Sequence, residues 1–299
     1  MGHEKLTESF LELIRRASTT LPPDVEKAMT QAIELEGEGA GAASSLALML
    51  ENAKQASDGS TPICQDTGAL LFFVDYGPDY RQKDVEEAAK AATAAATENY
   101  YLRPNAVDSV TGKNSGDNLG ATFPYFHFEQ RDEPGLRVRL MLKGGGSENV
   151  GAQYKLPDGN LKAGRDLDGV RRCVIDAVYN AQGKGCAPGT VGIGIGGDRG
   201  TSFLCSKEQL LRDLGDTNPD GTLAELETQL FEELNQLGIG PGGIGGRTTA
   251  LTVKIGLAYT HTAICPVAIN FYCWVARRNG LRLYPDGRTE YLFTEEANR

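Results

Sequence analysis

The chain has 299 residues, with 30 basic against 40 acidic side chains and a formal charge of -10 at pH 7. That balance argues against a nucleic acid partner, because a phosphate backbone selects a concentrated basic surface, but it leaves room for a small anion held by a few arginines. No run nears the length of a membrane span, and no apolar stretch follows Met1-Gly2-His3-Glu4 as a secretion signal would. Its 6 cysteines are too sparse for a disulfide scaffold, so they are expected reduced, in a cytoplasmic setting.

Taken in chain order, Leu6, Phe10, Leu13 and Ile14 repeat at helical spacing, Pro22-Pro23 interrupts them, and Val25, Met29 and Ile33 resume the pattern up to about Glu36. Ala40 to Ala56 reads as another helix, ending near the turn Asp58-Gly59-Ser60-Thr61-Pro62. The apolar run Ala69 to Val74 predicts a buried strand, which places Cys64 where a loop enters it. Asp84 to Tyr101 is an alanine-rich helix, and Arg103 to Gly120 a polar loop without periodicity. Thr122 to Phe128 and Leu136 to Lys143 read as paired strands around the turn Asp132-Glu133-Pro134-Gly135. Further on, Leu167 to Ala181, Ser206 to Leu214 and Leu223 to Leu237 predict helices. Thr190 to Gly196 reads as a strand too glycine-rich for ordinary packing, and Thr248 to Tyr259, Pro266 to Trp274 and Leu281 to Tyr284 as further strands. With no repeat, linker or composition shift, one continuous domain over 1-299 is expected, its helical N-terminal region 4-57 packed on the same core.

Several clusters carry chemical interest. Much of the glycine, 37 residues in all, gathers at Gly144, at Gly192 to Gly200 and at Gly238 to Gly246. Such clusters serve either as amide nests and walls around a bulky ligand or as tight turns beside close-packed strands. None fits a dinucleotide fingerprint or a phosphate loop. Cys64, Cys186 and Cys273 each lie in an unusual local setting, but they are far apart and no CxxC pair accompanies them, so spacing alone favours buried core cysteines. Cys173, Cys205 and Cys265 lie in or beside apolar segments and take that default. Gln65 and Asp66 follow Cys64, where Asp-Thr-Gly can orient a ligand or simply form a hydrogen-bonded turn. His261 is one of 3 histidines, and a lone histidine is more often structural. Arg103, Lys113, Asn114, Asp117 and Asn118 sit in the polar passage, where an arginine suits a carboxylate and solvation is the plain alternative.

In combination, Pro62 to Gly68, Lys113 to Asn118, Lys143 to Asn149, Cys186 to Gly197, Gly238 to Thr249 and His261 to Arg278 resemble the alpha subunit, or N-terminal domain, of the class I fumarate hydratase and L(+)-tartrate dehydratase family. The resemblance implies an α+β fold of mixed sheets flanked by helices in a single large catalytic domain. It also implies a [4Fe-4S] cluster on Cys64, Cys186 and Cys273, with one iron left open as a Lewis acid toward a 2-hydroxydicarboxylate and sensitive to oxygen. By the same resemblance, Gln65, Arg103 and a backbone group at Gly145 contact substrate, and Asp66 and His261 assist proton transfer at the hydroxyl.

Fused family members carry a C-terminal domain with a threonine base and further arginine and lysine contacts, whereas this chain ends at Arg299. A separate beta subunit in an alpha2-beta2 assembly is therefore expected. Hydration of fumarate to L-malate is the leading expectation and dehydration of L(+)-tartrate to oxaloacetate the close alternative. A noncatalytic iron-sulfur sensor or assembly protein is the reading from another class.

Overall fold

The computed structural model describes residues 2-294. In chain order the helices are α1 (His3–Thr19), α2 (Pro23–Glu36), α3 (Gly41–Gly59), α4 (Gln82–Glu98), α5 (Gly145–Asn149), α6 (Leu167–Ala181), α7 (Arg199–Gln209) and α8 (Gly221–Gln236). The strands are β1 (Ala69–Tyr76), β2 (Tyr125–Gln130), β3 (Leu136–Lys143), β4 (Ala152–Lys155), β5 (Gly189–Gly196), β6 (Ala250–Ala258), β7 (Pro266–Tyr272), β8 (Arg278–Leu283) and β9 (Thr289–Leu292). Short 3-10 turns occupy Gln182–Gly185 and Pro241–Gly243. No helix among the described residues is long and apolar enough to cross a membrane. The class is the expected one, mixed sheets flanked by helices. The chain divides into two compact units, Met1–Pro23 with Glu51–Gly145 and Arg277–Arg299, and Asp24–Leu50 with Gly146–Ala276. The helical N-terminal region is shared between them, α1 in the first unit and α2 from Asp24 in the second.

The first unit is a five-stranded sheet in the order β2-β1-β3-β8-β9. Its core forms because α1 and α4 each present one apolar stripe, Phe10, Leu13 and Ile14 on α1 and Val85, Ala88 and Ala92 on α4, to Leu70, Phe72, Val74, Leu140 and Leu281 of the strands. The expected hairpin of Thr122 to Phe128 with Leu136 to Lys143 is not made. Instead β1 lies between the two segments, parallel to β2 (Phe72 opposite Phe126) and antiparallel to β3 (Phe72 opposite Leu140). The parallel pair needs a long crossover, which α4 supplies. On another rung Arg137 lies opposite Asp75 and Arg282, and Arg282 opposite Glu290, so two like-charged arginines on β3 and β8 are flanked by carboxylates on β1 and β9 that offset their repulsion.

The second unit holds the sheet β4-β7-β5-β6. The glycine-rich run predicted to pack poorly is its inner strand β5, paired with β6 on one side and β7 on the other. Val191, Ile193 and Ile195 join the apolar cluster with Val170, Val174, Leu226 and Leu230 of α6 and α8. Gly192 and Gly194 point the other way, where a Cβ would lie 2.3 Å from Ser206 O and 2.1 Å from Ser202 O of α7. Their neighbours across the sheet are small too: Gly194 is opposite Gly256 and Ala268. The glycines thus form a seat that lets the α7 backbone approach the sheet closely. The helix itself starts at Arg199, earlier than the predicted Ser206, because the Asp198 side chain accepts from Thr201 N (2.7 Å) and caps it.

An ionic knot in this unit joins a buried lysine to a partly exposed carboxylate. Lys254, 2% exposed, donates to Asp216 Oδ1 (2.6 Å) and Asp216 O (2.7 Å), while Arg212 bridges Asp216 and Glu227. Burial opposes ionisation of Asp216, but hydrogen bonds and charge from Arg212 and Lys254 outweigh it and hold the carboxyl below its ordinary 3.8. A depressed folded-state value stabilises the fold above the unfolded value and loses that contribution as pH falls through the folded one. Stability is therefore expected to drop on acidification below about pH 4, and chemical-denaturant titrations should find a shallower acid slope in Lys254→Met.

Candidate active site

In the first unit the segment before β1 is pinned on both sides of Ile63, whose N donates to Ser18 O (3.0 Å) and whose O accepts from Asn52 Nδ2 (2.9 Å). Cys64 follows, half-buried, beside an open cleft of about 580 Å³ lined by Pro62, Cys64, Gln65, Leu102, Arg103 and Gly116. Asp66 is held by backbone N–H groups at both oxygens: Gly68 N donates to Oδ1 (3.0 Å) and Gly145 N to Oδ2 (2.8 Å). The Asp-Thr-Gly sequence is thus a hydrogen-bonded turn, and the same turn orients a carboxylate. Its remaining lone pairs can accept a further hydrogen bond. The Gly145 amide, expected as a substrate contact, is here the donor that fixes Asp66.

The polar passage is ordered by its own side chains. Asn118, 1% exposed and at φ 59°, accepts from Asn105 N and Ala106 N and donates to Thr97 Oγ1 and Arg103 O. Arg103 N in turn donates to Thr67 Oγ1 (3.1 Å), and the exposed Arg103 guanidinium reaches Gln65 Oε1 (3.4 Å). Gln65 and Arg103 therefore share the cleft with Cys64, while Asn118 organises the loop that delivers Arg103. Sequence reading missed Arg277. Its guanidinium is 1% exposed and donates from Nη1 to Asp66 O, and the only trace in the sequence is a basic pair, Arg277-Arg278, beginning a strand.

In the second unit Cys186 ends the turn Gln182–Gly185 in a left-handed conformation, φ 58° and ψ 58°. A non-glycine residue there costs on the order of 1 kcal/mol and persists only where its surroundings enforce it. They do so through the 238-246 loop: Gly242 N donates to Ala187 O (2.7 Å), and a Cβ on Gly183 would meet Gly242 O at 2.4 Å. Cys273 directly follows β7 and is 8% exposed. Trp274 N donates to Cys186 O (3.3 Å), and Thr190 is in register with Tyr272, so the two cysteine-bearing segments meet just beyond the paired ends of β5 and β7.

His261 is exposed, and its Nδ1 accepts from Ala263 N (3.1 Å). The neutral ring accordingly carries its proton on Nε2 and presents a donor. Arg165 Nη1 to Thr262 O and Thr260 Oγ1 to Gly197 O (2.9 Å) anchor that loop.

Among the described residues no three His, Cys, Asp or Glu side chains form a group for one metal ion. The donor chemistry of Cys64, Cys186 and Cys273 fits a polynuclear iron-sulfur group. All three are free thiols, each sits at a turn or strand end, and cluster irons take one thiolate each. Burial pushes the Cys173 and Cys205 thiols up to about 12 and about 11, as expected of cysteines in apolar surroundings.

A family model described as fumarate hydratase (Fumerase) matches residues 7–282. The chain is 47% identical over 286 residues to a putative fumarate hydratase class I of Geobacillus stearothermophilus, covering 95% of this chain and 56% of that protein. It is 36% identical to a putative L(+)-tartrate dehydratase subunit alpha of Methanocaldococcus jannaschii (95% and 99% covered) and 31% identical to the L(+)-tartrate dehydratase subunit alpha of Escherichia coli K12 (96% and 94% covered). It thus spans about half the length of the first relative and nearly all of the other two.

Proposed function

The chain belongs to the fumarate hydratase (Fumerase) family, and on that premise we propose that it is the alpha subunit of a two-subunit hydro-lyase that hydrates fumarate to L-malate. The observation that carries the choice of substrate is the 47% identity to the fumarate hydratase relative, against 36% and 31% to the tartrate dehydratase subunits. The names of those two relatives, both alpha subunits of about this length, support a separate beta subunit, and an alpha2-beta2 assembly is the form we propose for the pair.

In this reading Cys64, Cys186 and Cys273 hold a [4Fe-4S] cluster, which when bound supplies a Lewis-acidic iron for a hydroxyl and carboxylate. The chain's own groups bind and orient. Arg103 and Gln65 take a substrate carboxylate at the cleft, the guanidinium offering two parallel N–H donors. Asp66, held by the Gly68 and Gly145 amides, accepts from the substrate hydroxyl, and Gly145 contributes through its backbone. His261 donates from Nε2 to the leaving oxygen. The base that takes the C3 proton is assigned to the beta subunit.

Tartrate dehydratase is the second reading, favoured by the near-complete overlap with alpha subunits of that name, 99% and 94% of their lengths. Coexpression with a beta subunit, anaerobic cluster reconstitution and parallel assays separate the two. A higher kcat/KM for L-malate than for L(+)-tartrate is expected, and a much larger value for tartrate would overturn the first reading.

A further inference from the structure

The tightest arrangement around Asp66 involves a residue with no role so far. Asp66 has its carboxylate fixed by the Gly68 and Gly145 amides and its carbonyl held by Arg277 Nη1. Gly144 sits between the two side chains. A Cβ there would lie 3.1 Å from Arg277 Nη2 and 3.2 Å from Asp66 Oδ2, so guanidinium and carboxylate both close on the space that the missing side chain leaves. The Arg277 backbone is itself tied into the sheet, since Leu142 N donates to Arg277 O (2.9 Å). A guanidinium 1% exposed is expensive to bury, and a hydrogen bond to a neighbouring turn's carbonyl returns part of that cost only if the turn stays where it is.

We propose that Arg277 is a positioning residue for the reaction: through the Asp66 carbonyl, and with Gly144 as the spacer that admits its guanidinium, it fixes the direction in which the Asp66 carboxylate faces substrate. The inference rests on the proposed role of Asp66. The planar fork of arginine matters as well as its charge, because the Nη1 donor and the Nη2 edge facing Gly144 are set by one rigid group. Lysine keeps the charge and loses that geometry.

Two variants test it by different routes. Arg277→Lys removes the fork, and Gly144→Ala keeps the arginine but crowds its guanidinium and the Asp66 carboxylate, which must shift to admit the added carbon. Each is compared with Arg137→Gln, on the charged rung of the same sheet and away from Asp66. In the alpha-beta enzyme both test variants are expected to lower kcat for malate by roughly tenfold or more with KM within about twofold, the signature of lost orientation rather than lost binding. In the alpha chain alone, without cluster or substrate, hydrogen exchange at the Gly145 amide is expected to accelerate about tenfold in both, with Arg137→Gln unchanged. An unchanged kcat in either variant of an active enzyme overturns the proposal, as does an unchanged Gly145 exchange rate. If the wild-type pair hydrates no dicarboxylate, the reaction assigned above fails on its own, and the exchange measurement still decides whether Arg277 holds Asp66.

Discussion

In the reconstituted alpha-beta enzyme, Cys273→Ser is expected to lower hydratase turnover by about a thousandfold or more, the loss of several kcal/mol of Lewis-acid stabilisation. Iron and acid-labile sulfide should fall with it. Serine is nearly isosteric, so the end of β7 should still fold, but its hydroxyl is a hard donor where iron-sulfur irons take soft thiolate. Cys186 permits a sharper separation of stability from function. Its φ of 58° is a conformation that glycine adopts without penalty. Cys186→Gly should therefore match or exceed the wild-type apo chain in melting temperature, by a stabilisation of up to about 1 kcal/mol, while binding less iron. Cys173→Ser, in the core, should retain iron. Full iron and sulfide content in the Cys273→Ser and Cys186→Gly chains would remove both cysteines from the ligand set.

The parts of this fold that could be read from sequence are those set by local periodicity and local chemistry. β1 was legible as an unbroken apolar run because it is buried along most of its length, and α6 because its apolar residues recur on the one face it buries. The pairing of strands was not legible. Asp132-Glu133-Pro134-Gly135 has the composition of a hairpin turn, but whether flanking strands pair depends on what competes for them. Here β3 can be buried beside β1, whereas β2 is largely exposed and suits an edge. The same distinction runs through the candidate site. The Asp66-Thr67-Gly68 turn, closed by a hydrogen bond between neighbours two residues apart, was one of the two readings open in the sequence. The contact of Arg277 with Asp66 spans 211 residues, and no pattern along the chain announces it.

Gly194→Val is expected to destabilise the chain by more than about 3 kcal/mol, a Tm loss of roughly 6 °C or more by calorimetry. The size follows from backbone rather than side-chain collision: the first added carbon would lie 2.1 Å from Ser202 O and 2.7 Å from Ser206 N. No rotamer change relieves that, so α7 must lift from the sheet. Gly221→Ala is the contrasting case, at the start of α8 with nothing within 4 Å of the new carbon, and it should be neutral or slightly stabilising because alanine restricts the unfolded chain. The consequence for chemistry comes through the strands. β5 begins three residues after Cys186, β7 ends one residue before Cys273, and the two strands pair with Thr190 opposite Tyr272. A helix forced off the glycine seat disturbs the spacing of those two strand ends. Gly194→Val should therefore bind iron less tightly than its residual fold alone would suggest, and a destabilised chain that kept full cluster affinity would show that the seat serves the core and not the cysteines.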